Sequence, residues 1–151
     1  MDFILWSLLA GILGILSALY LYLGILRSPS GTEKMKEIAG LIHDGAMTYL
    51  NRQYRTVLIF IVFIFVALAF LINIYVAIAY VFGGLCSMLA GYIGMNAATR
   101  ANVRTAFAAS RKDQPKALGI AFSGGAVMGM AVASIGVLGL GLLFLLVKEL
   151  A

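Results

Sequence analysis

The chain has 151 residues, 63% hydrophobic and only 11% charged, against about 25% charged in an average soluble domain. Its apolar residues lie in long unbroken blocks, the pattern of a chain that crosses a lipid bilayer, which excludes an ordinary soluble fold. The net charge of +5 does not point to nucleic acid, because the cations fall in two short segments and no aromatic residues interleave with them to stack bases.

In chain order, Phe3 to Leu26 is an apolar run whose only polar side chains before the tyrosines are Ser7 and Ser17. As a helix it reaches about 36 Å, enough for a tilted span. A secretory signal fits poorly: the start is acidic at Asp2 and no small-residue cleavage site follows. Ala10, Gly14 and Ala18 recur every fourth residue, a stripe suited to a close helix contact. Trp6 near one end and Tyr20 and Tyr22 near the other suit the two interfaces.

Residues 27–55 form a first polar segment. Ser28, Pro29, Ser30 and Gly31 make a turn, and Thr32–Glu33 opens a helix. Met35, Ile38, Ile42, Ala46, Tyr49 and Leu50 then follow at three- and four-residue steps, an amphipathic stretch that lies at the surface or runs straight into the next span. From Thr56 to Thr99 there are 44 residues without a charge. One helix of that length would be about 66 Å long, twice the hydrocarbon thickness, so the chain must fold back. Asn73 is the best place for the turn, which gives spans over about 57–72 and 75–98. Cys86, the only cysteine, lies inside this block and reads as an inert buried thiol.

The stretch Gly91 to Ala106 organises the rest. Gly91, Gly94 and Ala98 flatten one helix face for a neighbour's backbone. Arg100 and Arg104, four residues apart on one face, then hold that end at an anionic membrane surface. Residues 100–116 read as a second basic loop, with Arg111, Lys112 and Lys116 added and Asp113 the single acid. Pro115 starts the last helix, and a fourth span covers about 117–147 with a second four-residue stripe at Gly125, Gly129 and Ala133. At some 46 Å this helix exceeds a bilayer, so its first turns should project from it.

The expected fold is therefore all-α and membrane-integral, one domain over 1–151 with four transmembrane helices. The segments 27–55 and 100–116 carry five Lys/Arg each, whereas the 72–74 turn and the N-terminal end carry none and the C-terminal tail carries only Lys148. Positive charge stays inside, so both basic loops are expected in the cytosol and both termini outside. Arg100, Arg104, Arg111 and Lys112 are the topology anchors; a phosphate- or lipid-binding role for the second basic loop is the rival reading, as is a peripheral role for residues 32–55.

Catalytic candidates are thin. Glu33 and Glu37 sit one helical turn apart, but with Lys34 and Lys36 beside them they read as a solvated face rather than a metal site. His43 beside Asp44 imitates a base pair, yet adjacent helical residues point apart and no nucleophile motif lies nearby. The proposed spans contain no Asp, Glu, Lys, Arg or His to carry an ion. No catalytic, cofactor or metal residue is expected within these 151 residues.

The run GYIGMNAATRANVRTAFAA, followed by KALGIAFSGGAVMGMAVASIGVLGLGLL and preceded by GTEKMKEIAGLIHDGAMTYLNRQYRTV, resembles the N-terminal part of the membrane-integral, ion-pumping pyrophosphatases. The resemblance covers about residues 1–147. It implies hydrolysis of inorganic pyrophosphate coupled to export of H⁺ or Na⁺, with Mg²⁺ and, where required, K⁺. It also implies a homodimer, a prokaryotic inner (plasma) membrane, and Asp-rich catalytic motifs on later helices that nothing here matches. On that resemblance the four helices are an outer-ring scaffold whose partners are lipid and the remaining helices of the pump, with no nucleic acid. The alternative is a stand-alone four-helix accessory or binding protein.

Overall fold

The computed structural model describes residues 2–150, with side chains over 4–145. Four helices follow one another: α1 (Asp2–Arg27), α2 (Glu33–Leu71), α3 (Ile74–Ser110) and α4 (Gln114–Leu150). Each is long and apolar enough to cross a membrane, and together they make the chain an integral membrane protein.

The turn at 72–73 falls where the lone asparagine was expected to break the apolar block. Ile72 closes α2 by donating its N–H to the Leu68 carbonyl, and the Asn73 side chain caps α3 by accepting from the Tyr75 N–H at 2.9 Å. Thr32 caps α2 in the same way through the Met35 N–H. Asp113 begins α4, accepting from the Lys116 N–H at 3.2 Å, with Pro115 in the first turn where its missing N–H does no harm.

Residues 33–55 are helical, as their amphipathic spacing predicts, whereas 100–110, expected as loop, continues α3: the non-helical connections are only 28–32 and 111–113. The reason is local, since no proline or turn cluster interrupts 33–55, and 97–109 is rich in alanine and arginine, both strong helix formers. The amphipathic stretch therefore runs straight into the second span. At 39 and 37 residues, α2 and α3 reach about 58 and 55 Å, well beyond a hydrocarbon core of about 30 Å.

Successive helices are antiparallel, but sequence neighbours are not all spatial neighbours. Among the described residues, α4 lies between α1 and α3, α3 also touches α1, and α2 packs on α3 alone. The main core joins α1, α3 and α4 through Ile25, Ala97, Ala101, Ala108, Ala117, Ile120 and Val127. A second cluster, Ala90, Ala131 and Ile135, extends the α3–α4 seam. Small residues set these distances. A Cβ on Gly124 would meet the Ala101 Cβ at 2.9 Å, and one on Gly94 would meet Met128 Cγ at 2.6 Å. Lipid chains are as apolar as leucine, so close backbone approach and dispersion, rather than escape from water, hold such seams.

Candidate functional site

The polar chemistry gathers at the end of the bundle that carries the α1–α2 and α3–α4 connections. Arg104, expected only as a surface anchor, is half-buried there. Its Nε donates to the Ser28 carbonyl at 3.0 Å and one terminal nitrogen donates to the Arg100 carbonyl at 2.8 Å. It thereby ties α3 to the turn after α1. Gly31 in that turn has φ +88°, a left-handed conformation, and a Cβ there would strike Met35 and Phe107. Phe107 in turn carries the Arg111 guanidinium 4.8 Å from its ring centroid. α3 ends with the Asp113 N–H on the Ala108 carbonyl and Lys112 at φ 60°, a left-handed residue where glycine is usual. Arg100, Arg111 and Lys112 are exposed.

Two further polar links fasten α2 to α3. The His43 Nδ1 lies 2.9 Å from the Thr99 hydroxyl, which itself lies 2.9 Å from the Met95 carbonyl. Thr99 thereby links the imidazole of α2 to the backbone of α3. Lower down, the Tyr54 hydroxyl donates to the Met88 carbonyl and rests against Gly91. His43 thus does not pair with Asp44; its partner lies 56 residues along the chain. Neither bond is written in local spacing, although a histidine and a tyrosine on the same α2 face, eleven residues apart, were a signal that this face meets something polar.

The expected packing residues divide. Gly94 and Ala18 are buried, Gly91 half-buried, and Gly14 stands against Ser134. Ala10 is exposed; its neighbour Gly11 takes the contact, a Cβ there meeting Leu138 Cγ at 2.5 Å. Gly125, Gly129 and Ala133 are exposed as well, and nothing lies within 4 Å of a Cβ on either glycine. The face of α4 that α1 and α3 use is instead Ala117, Gly124, Ala131 and Leu138, with Ile120, Val127 and Ser134 between. Those positions repeat every seventh residue, as do Gly94, Ala101 and Ala108 on α3. A seven-residue step follows a shallow antiparallel crossing more closely than a four-residue one.

No three His, Cys, Asp or Glu side chains converge among the described residues. Glu33 is engaged by Lys36 at 2.7 Å, and Asp113 serves as a helix cap. A Mg²⁺–pyrophosphate centre needs several carboxylates on common ions with cations on the phosphates. This arrangement does not fit one.

Comparison with known proteins gives the chain its context. The "Putative K(+)-stimulated pyrophosphate-energized sodium pump" of Clostridium tetani is 50% identical over 129 residues, which cover 85% of this chain and 19% of the pump. The "K(+)-insensitive pyrophosphate-energized proton pump 2" of Moorella thermoacetica is 45% identical over 135 residues, 89% of this chain and 20% of that protein. The "K(+)-insensitive pyrophosphate-energized proton pump" of Methanosarcina mazei is 43% identical over 140 residues, 91% of this chain and 21% of that protein. The chain thus spans about a fifth of the length of the relatives it matches. The family described as inorganic H+ pyrophosphatase matches residues 12–151, and this chain belongs to it.

Proposed function

We propose that these four helices are the N-terminal, outer-ring part of a pyrophosphate-energised cation pump, and that their own role is structural. Family membership over residues 12–151 is the observation that carries the reading. The relatives include a sodium pump and proton pumps, so the cargo is assigned only as a monovalent cation. Hydrolysis, its Mg²⁺ and any K⁺ dependence belong to the remaining helices, and no step is assigned to residues of this chain. The basic connections face the cytosol of a prokaryotic cell and both termini the outside, in keeping with the five cations near each connection. The complete pump works as a homodimer. In it, the outward stripe Gly125, Gly129 and Ala133 of α4 receives a helix of the remaining protein, because glycines facing lipid alone would forgo dispersion contacts.

The test is exchange. Residues 12–151 replace the matching segment of the Clostridium tetani pump, and vesicles are assayed for pyrophosphate hydrolysis and Na⁺ uptake. The chimera is expected to retain both, and the isolated 151-residue chain neither. Hydrolysis by the isolated chain overturns the structural role. A correctly inserted but inactive chimera overturns the segment assignment.

A further inference from the structure

At the basic end, the α1–α2 turn and the α3–α4 turn enclose a cleft of about 90 Å³ walled by Pro29, Arg104, Phe107, Arg111, Asp113 and Lys116. That is roughly three times the share of volume a water molecule takes in the liquid, room for one phosphate-sized group. Three cations meet one acid here. The acid caps α4, its carboxylate accepting the Lys116 N–H, and leaves three positive charges against one negative. Among the described residues the only ion pair is Lys36–Glu33, so none of the three cations has a carboxylate within 4 Å.

Two of the three are held in place. Two N–H groups of Arg104 are spent on the Ser28 and Arg100 carbonyls, and a guanidinium offers five. The Arg111 guanidinium carbon stands 4.8 Å from the centroid of the Phe107 ring, which itself lies against Gly31. A cation that serves only to keep a helix end on one side of a membrane needs neither a wall nor a fixed geometry; it snorkels freely. Fixed, unpaired guanidinium donors around a cleft are the arrangement that recognises phosphate oxygens.

We propose that this cleft binds a phosphate group, carried either by an anionic lipid headgroup or by free phosphate. Arg104 and Arg111 supply the directed donors and Lys116 a point charge. The occupant would join the two connections across the end of the bundle, neutralising cations that otherwise repel one another.

The experiment uses the whole chain in an uncharged detergent. Binding is followed through the shift in thermal unfolding, with inorganic phosphate as one probe and mixed micelles containing phosphatidate as the other. Arg111→Gln with Lys116→Gln removes two donors. Arg52→Gln with Arg55→Gln, both exposed on α2, removes the same charge elsewhere. Saturable binding by the unaltered chain and by the α2 variant, weakened roughly tenfold or more in the cleft variant, is expected. Saturation with inorganic phosphate assigns a soluble ligand; saturation with phosphatidate alone assigns a headgroup. Equal weakening in both variants, or no saturation with either probe, overturns the proposal. Should the double cleft variant lose its helical circular dichroism, Lys116→Gln alone reads the same contrast, with several-fold weakening expected and an unchanged affinity overturning it.

Discussion

α2 and α4 make the instructive comparison. Both are long and both cross the membrane, yet the most apolar stretch of α4 is 33% buried against other helices and that of α2 only 6%, although α2's is the more hydrophobic. In water the greasier helix would go inside. In lipid, burial follows side-chain size instead. α4 offers Ala117, Gly124, Ala131 and Ser134 to two neighbours, whereas α2 offers Ile59, Phe60, Val62 and Phe63 to the surroundings and keeps only Leu50 and Ile61 buried. α4 is held along its length by small-residue seams. α2 is an arm on α3, held at a few points: His43–Thr99, Tyr54–Met88, and Ile61 over Gly84.

The strongest way to break this contrast is to enlarge a seam. A Cβ on Gly14 already collides with the Ser134 hydroxyl, so Gly14→Leu should push α1 off α4 and cost about 3 kcal/mol. Gly40→Leu on α2, with nothing within 4 Å of its Cβ, should be neutral or slightly stabilising, since leucine is the better helix former. Reversible unfolding in mixed micelles compares the two; equal effects would remove the distinction between seam and arm.

Thr99→Val sharpens the other half. It removes the hydrogen-bond partner of the His43 imidazole and should cost about 1–2 kcal/mol. The loss should be local, appearing as faster amide exchange over 40–55 with α1 and α4 unchanged. Loss spread over all four helices would contradict a separately attached arm. A smaller loss is expected at the turn between α2 and α3, where Asn73→Ala deletes a cap and should lower stability by about 1 kcal/mol without altering the four-helix arrangement. The thermal midpoint and helical content together check it.

What the sequence made legible follows the same division. Span number, the Asn73 turn and the cap at Thr32 were readable because each is a local signal: an apolar length, a lone polar residue, a hydroxyl before an acidic first turn. Which small residues form the seams was only partly readable. The four-residue stripes at Ala10 and at Gly125, Gly129 and Ala133 are real patterns, but a helix with small residues on two faces does not declare which face its own chain uses. The seven-residue repeat through Gly124 decides it in the structure. The end of α3 lies beyond the expected span because Arg100 and Arg104 extend a helix readily. At the basic end, Arg104 was legible as a cation and illegible as a fastener, since its acceptor at Ser28 is 76 residues away.

α4 has two small-residue faces: one closes this unit, and the other, exposed here, is the face proposed to receive a helix of the complete pump. Pyrophosphate-driven Na⁺ uptake by the chimeric pump carrying Gly129→Leu tests it most directly. Uptake is expected to fall at least tenfold while the same substitution leaves the isolated four-helix unit as stable as before. Undiminished uptake would contradict it.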